Sequence, residues 1–193
     1  MYRHIEQNSG LTTKVVSSAE ELMQVFAVRA AVYMAEQECP YEEEFDGNDY
    51  CGTHILGLVD GKPAGCVRIR WFAGFAKAER MTVLKPFRGT GIGDLIAKRA
   101  FEHVSRKGYR RYYVHAQRRL VRHWEKYGMR PTSNRIFNFS DHEYVAMVLE
   151  LEPPEDAITE ETDPMILLRP EDDFDHPGIL ERSAERPATN PIG

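Results

Sequence analysis

A mixed α/β fold, with a mainly antiparallel central sheet flanked by helices, follows from three features of the sequence. Hydrophobic periodicity alternates between two and 3.6 residues, giving the order β-α-β-β-β-α-β-α-β-β across residues 12–151. A glycine-rich turn, Arg88-Gly89-Thr90-Gly91-Ile92-Gly93, joins a strand to a helix. The periodicity then stops: seven of the eleven prolines fall after residue 152, which divides the chain into a folded domain (1–152) and an acidic, proline-rich tail (153–193).

Residues 12–17 read as the first strand. Ser18-Ala19-Glu20-Glu21 has capping-box spacing, and Leu22, Val25, Phe26, Arg29, Val32 and Tyr33 continue at helical intervals, so a helix is expected over roughly 19–37. A turn-rich acidic segment, Cys39 to Asp49, follows. Runs 53–59 and 64–72 form a hairpin through Asp60-Gly61, two residues that tolerate positive φ, and a third strand covers 75–83. The stripe Ile92, Leu95, Ile96, Ala100 and Phe101 marks a helix that stops at Gly108. Tyr109–Ala116 reads as a strand and Gln117–Tyr127 as a helix ended by Gly128; 135–139 and 144–151 close the sheet. In the tail, Met165-Ile166-Leu167-Leu168 is the one apolar cluster. It either docks, on the body or on a second copy in a homodimer, or belongs to a mobile extension.

Composition narrows the function. An apolar fraction of 42% with 28% charged residues is that of a soluble globular protein, and no apolar run nears the roughly 20 residues of a membrane span. Three separated cysteines, Cys39, Cys51 and Cys66, and scattered histidines predict reduced thiols, no metal site and a cytoplasmic location. Residues 61–135 hold 19 Lys/Arg against 4 Asp/Glu, whereas both flanks are acidic. Either the basic middle seats an anionic ligand, or the flanks neutralise it within one fold. The net charge of −5 argues against nucleic acid.

The turn at 88–93 has the features of a phosphate site. At a strand-to-helix junction several N–H groups converge, the helix dipole adds positive potential, and glycines allow close approach. A P-loop would need Gly-Lys-Ser/Thr, which is absent; a dinucleotide fingerprint starting at Gly89 would need glycine where Asp94 stands.

What remains, Arg-x-x-Gly-x-Gly after a third antiparallel strand ending Met81-Thr82-Val83-Leu84-Lys85-Pro86-Phe87, resembles the GNAT superfamily of acyl-CoA-dependent N-acetyltransferases over roughly residues 12–151. Glu44-Phe45-Asp46-Gly47-Asn48-Asp49, His54 and His115-Ala116-Gln117 resemble a small bacterial subgroup of it. The resemblance implies a GNAT-type sheet and acetyl-CoA as co-substrate, without a metal. Amides of Arg88, Gly89, Thr90, Gly91, Ile92 and Gly93 would hold the pyrophosphate, with charge from Arg88. Met81, Thr82 and Val83 would lie along pantetheine, with the Val83 N–H facing the thioester oxygen, and Gln117 and Trp124 would complete the cofactor site.

Trp124 departs from the family, which usually has a tyrosine at that register to protonate the leaving thiolate. It covers either the pantetheine arm or the core. The acidic segment is where the superfamily places acceptor-binding residues, so Glu44 and Asp46 are candidates for holding a small-molecule or peptide amine, or else sit in a solvated loop. Their Glu-x-Asp-x-x-Asp spacing also resembles acyl-homoserine-lactone synthases. Glu79 is the candidate general base: simple strand alternation puts it on the face of Met81 and Val83, and an ion pair with an arginine such as Arg70 is the competing reading. Direct acetyl transfer to a primary amine is the leading function. A catalytically weak acetyl-CoA-binding regulatory module, acting on a partner through its tail, is the alternative from a different class.

Overall fold

The computed structural model describes residues 10–139, 141–183 and 185–187. The order is β1 (Leu11–Val15), α1 (Ala19–Arg29), a one-turn helix α2 (Tyr41–Glu44), β2 (Gly52–Val59), β3 (Lys62–Phe72), β4 (Phe75–Val83), α3 (Ile92–Arg106), β5 (Arg111–Gln117), α4 (Val121–Glu125), β6 (Arg130–Phe139) and β7 (His142–Glu150). The strands form one sheet in the order β1-β2-β3-β4-β5-β7-β6, and β4–β5 is its one parallel pair. The expected mainly antiparallel α/β sheet is thus what forms. Asp60 and Gly61 both adopt positive φ, 49° and 73°, as the hairpin requires.

α1 begins at Ser18, whose hydroxyl accepts from the Glu21 N–H. It continues into a π-helical stretch, Ala30–Met34, where the Ala35 N–H reaches the Ala30 carbonyl at 3.0 Å. Val25 and Val28 of α1 pack on Leu56 and Cys66 on one face of the sheet. On the other face Ile92, Ile96, Ala100 and Val104 of α3 pack on Ile55, Val67 and Ile69. Two glycines bring α3 close. A Cβ at Gly57 would lie 2.5 Å from the Ile96 Cδ1, and one at Gly65 would lie 2.9 Å from the same Ile96 Cδ1 and 2.7 Å from the Thr82 carbonyl oxygen. The absent side chains lower α3 onto β2 and β3 and set its N-terminus beside β4.

Two irregularities in β4 determine the site. The β3–β4 register shifts: Cys66 faces Thr82, but Arg68 faces Glu79, so β4 holds one extra residue in a bulge containing Arg80 at φ 53°. β4 also pairs with β5 only from Ala76 to Ala78, opposite Tyr112 to Val114. Past that point the two strands continue to Val83 and Gln117 without pairing, which opens a gap in the sheet.

The chain divides into two compact units, with the boundary after Ala157 rather than at 152. The Leu151 N–H bonds the Arg110 carbonyl at 2.7 Å and Asp156 pairs with Arg106, so residues 153–157 stay with the larger unit. In the smaller unit the expected extended tail is replaced by two short helices, α5 (Pro164–Leu167) and α6 (Ile179–Ser183). Asp163 caps α5 through the Met165 N–H at 2.8 Å, and Arg169 joins Glu181 at 2.9 Å and the Phe174 carbonyl. Local capping and one ion pair thus give order without a sheet.

Gly65→Ala should therefore destabilise the domain by about 1–3 kcal/mol, because its methyl meets backbone rather than a yielding side chain. Urea unfolding measures this. An unchanged midpoint would contradict the close seating of α3 on β3.

Candidate active site

Gly89 and Gly91 adopt φ of 80° and 93°, values open to glycine, and Gly91 is the N-cap of α3. The first intrahelical bond runs from the Leu95 N–H to the Gly91 carbonyl at 3.1 Å. The Ile92 N–H donates to the Thr90 hydroxyl at 3.4 Å, and the amides of Gly93 and Asp94 project from the positive end of the helix, the usual geometry of an anion site. Gly93 sits against β4: a Cβ there would be 3.4 Å from the Val83 side chain. Arg88 does not present free charge as expected. Its guanidinium pairs with Glu36 at 2.6 and 2.7 Å and donates to the Val83 carbonyl at 3.0 Å, fastening the turn to the end of β4.

Beside this turn is the gap between β4 and β5. The Leu84 N–H bonds the Ala64 carbonyl on β3 at 2.8 Å, so by alternation Val83 and Met81 turn their backbone edge toward the gap. Their carbonyls are occupied, that of Met81 by the Tyr33 hydroxyl at 2.9 Å and that of Val83 by Arg88. The N–H groups are left as the polar edge. Thr82 is buried opposite Cys66 with its backbone toward β3, so of the three β4 residues assigned to the cofactor it is the one that does not face the gap.

Because of the bulge, Glu79 shares a face with Thr82 and Arg68, not with Met81 and Val83; strand alternation misplaced it. It lies on the α1 side, 2.7 Å from both Arg68 and Lys77 and 3.8 Å from Arg70. Glu44 is also corrected. It is fully buried, bonded to Arg29 and 3.0 Å from Arg80, and cannot touch an acceptor. Asp46 is held by Arg68 through two bonds of 2.7 and 2.8 Å and by Arg80 at 3.3 Å. Asp49 bridges Arg29 at 2.5 Å and Arg68 at 2.9 Å, and its carbonyl accepts from the His54 Nε2–H at 3.0 Å. Glu42 stays exposed, but Glu44, Asp46 and Asp49 neutralise arginines of the fold, and this pairing accounts for the spacing that also resembles an acyl-homoserine-lactone synthase.

Burial alone would raise the carboxyls of Asp46, Asp49 and Glu79. Hydrogen bonds from Arg68 to Asp46, from Arg29 and Arg68 to Asp49, and from Lys77 and Arg68 to Glu79 outweigh it and hold all three below the usual carboxylate range.

The Acetyltransferase (GNAT) family model matches residues 20–129, more than half of the chain and the whole span from α1 to the end of α4. The chain belongs to the GNAT acetyltransferase family. The uncharacterized N-acetyltransferase YjcF of Bacillus subtilis (strain 168) is 33% identical over 123 residues, covering 64% of this chain and 88% of YjcF. An acyl-CoA N-acyltransferase from Pseudomonas aeruginosa superposes with a TM-score of 0.64 at 25% identity, covering 72% of this chain and 97% of its own. A GNAT family acetyltransferase from Elizabethkingia anophelis, solved with acetyl-CoA bound, shares the fold at a TM-score of 0.60 and 15% identity, covering 74% and 99% of the two chains.

In this GNAT domain α4 follows β5, the strand on the other side of the gap from β4. Trp124 is buried in the main core, 7% exposed, in ring contact with Tyr127. Tyr127 is the phenol nearest the expected acid register, and its hydroxyl bonds Asp94 in the first turn of α3. Burial, and then that carboxylate, push the phenol well above its ordinary value. Gln117 ends β5 half-buried, accepting from Arg119 at 2.8 Å and 3.5 Å from the Tyr144 hydroxyl. Sequence reasoning gave no role to Arg29, Arg68, Arg80 or Tyr33. A conspicuous signal was available for Arg68, an arginine within the apolar run of β3, where it needed buried acids as partners.

Removing Arg68 takes one cation from each of three acids, which keep only Arg80, Arg29 and Lys77 as close partners, so Arg68→Met should cost about 3–5 kcal/mol. The lowered carboxyls contribute stability that is full above their unfolded value of about 4 and lost as pH falls through their folded values. Chemical denaturation from pH 7 to pH 3 should show a steeper acid loss in the parent than in Arg68→Met. Equal slopes would mean that Arg68 does not hold these acids ionised.

Proposed function

We propose that this GNAT chain is an N-acetyltransferase that moves acetyl from acetyl-CoA to a primary amine by direct transfer. The observation that carries the reading is the opening between β4 and β5, with the Gly93 and Asp94 amides of the α3 N-terminus at one end and the Met81 and Val83 N–H edge along one side. These residues fit the co-substrate: the turn matches a pyrophosphate in charge, and the strand edge matches the amides of an extended pantetheine arm. Acetyl-CoA supplies an activated acyl group when bound.

The chain's own groups handle charge and protons. The N–H edge of β4 stabilises negative charge developing on the thioester oxygen. The amine nitrogen attacks the carbonyl carbon, and its C–N bond forms as the C–S bond breaks. The ammonium first gives one proton through a water to Glu79; after attack the nitrogen sheds its second proton to solvent, and the thiolate takes one from solvent. A lysine-like amine costs about 5 kcal/mol to deprotonate at pH 7, whereas leaving as thiolate costs about 2 kcal/mol. A base therefore matters more than the acid that Trp124 does not provide. The buried Trp124 favours the second reading, an acetyl-CoA-binding module with weak catalysis, and release of free thiol with an amine panel separates the two.

Acetyl-CoA at about 100 times its dissociation constant should stabilise the fold by roughly 2.7 kcal/mol. Gly91→Asp, which brings a side chain and negative charge to a left-handed position, should abolish that thermal shift; a retained shift would remove the turn from the site.

Glu79→Gln should lower turnover by about 100-fold, the low end for a general base because its ion pairs make Glu79 a weak one. The acetyl-CoA shift should persist, and the loss should shrink at high pH. Full activity at pH 7 would transfer the proton to another group, with His115 the nearest candidate across the gap.

A further inference from the structure

The sheet face that carries Glu79 is packed by α1 over β2, β3 and β4. Farther along, that face presents a row of rings. Phe72 and Phe75 stack at 5.0 Å, Phe75 meets Tyr113 at 5.5 Å, and Tyr113 meets His115 at 5.3 Å. His115 meets Phe137 edge-on at 4.7 Å, and Phe137 stacks near Tyr144 at 5.9 Å. Register keeps them on one side, since Lys77 faces Tyr113, Gln117 faces Tyr144, and Tyr144 faces Phe137. His115 is exposed and the other five rings are half-buried.

The row begins at the gap. Ala78 and Val114 are the last β4–β5 pair, so Glu79 and His115 are the next residues on each side, on the same face. The Tyr113 hydroxyl lies 3.2 Å from His115 Nε2, which fixes the imidazole orientation. Burial, then Lys77, lowers the His115 pKa against the pull of Glu79 and keeps the ring neutral near pH 7. The charges around the row exclude one class of ligand. Glu79 is already paired with Arg68 and Lys77, and Asp46 with Arg68 and Arg80. A second positive charge on the acceptor would meet Lys77 and Arg70 instead of an unpaired acid.

We propose that this row is the acceptor subsite and that it takes a primary monoamine carried on a flat aromatic body, the amine at His115 and Glu79 and the body against Tyr113, Phe137 and Tyr144. The rings offer faces and edges for stacking and T-shaped contact, and their continuity with the gap brings the amine to the acyl group. The inference rests on the acetyl-transfer reading for the ligand's role as acceptor, but binding can be measured without turnover.

The test is calorimetric titration of the full chain, saturated with CoA, with 2-phenylethylamine and with 1,5-diaminopentane. The aromatic monoamine should bind at least about 10-fold more tightly. Phe137→Ala, on the edge strand, should erase most of that preference and leave the acetyl-CoA thermal shift unchanged. Equal or tighter binding of the diamine overturns the proposal, as does unchanged aromatic affinity in Phe137→Ala. A parent dimer that becomes monomeric in Phe137→Ala, with aromatic affinity intact, assigns the row to a second copy and overturns it too. Tight aromatic binding without thiol release from acetyl-CoA would count against acetyl transfer while supporting the subsite.

Discussion

The guanidinium of Arg68, fully buried on β3, is the interaction on which the site depends. A charge taken out of water must be matched by carboxylates, and Arg68 draws three: Asp46 and Asp49 from the segment after α2, and Glu79 from β4. Arg29, equally buried at the end of α1, shares Asp49 and adds Glu44. With Arg80, Lys77 and Arg70 the group contains five cations and four carboxylates. It ties α1, the 44–49 segment and both middle strands together. The bulge at Arg80 belongs to the same arrangement: one extra residue turns Glu79 toward Arg68, and the Arg80 side chain reaches the Glu43 carbonyl at 2.5 Å.

This network explains which parts of the molecule were legible in the sequence. Element order followed from local periodicity and turn chemistry, because Asp60-Gly61, Ser18 and Gly108 act through their own backbones. The glycine turn was readable for the same reason: Gly89 and Gly91 sit at φ values that sequence alone suggests. The acids were not. Whether Glu44 faces solvent, a substrate or a buried arginine depends on partners 15 and 36 residues away, Arg29 and Arg80, which no local pattern connects. Glu79 shows the problem in its smallest form. Period two is a sound rule for a regular strand, but one bulge reverses the face of every residue before it.

The same partners account for much of the uneven charge along the chain. Arg68 and Arg80 in the basic middle are met by Glu44, Asp46 and Asp49 from the acidic start, so part of that surplus is neutralised inside the fold, leaving less of it for a ligand. The anion site at the turn then draws less on side-chain charge than on backbone geometry. Arg88 is committed to Glu36, and what projects from α3 is a set of N–H groups with the helix dipole behind them. Such a site is placed by packing. Gly57 and Gly65 let α3 descend, which brings its first turn at Gly93 against Val83 at the end of β4.

Trp124 then has a consistent place. A tyrosine at this register would contribute a proton, and the indole contributes burial: Trp124 lies in the main core with Tyr112, Val114 and Met129 and supports α4 beside the parted strands. The nearby phenol of Tyr127 donates to Asp94, which joins the turn after α4 to the first turn of α3. Packing and this hydrogen bond thus hold the two sides of the gap, while in the acetyl-transfer reading proposed above proton chemistry would fall to the opposite face of the sheet, around Glu79 and His115. That division agrees with the relative costs, because removing a proton from an amine at neutral pH is about 3 kcal/mol harder than releasing a thiolate. Under that reading, a chain that gives up the acid and keeps a base beside the gap would give up the smaller of the two contributions.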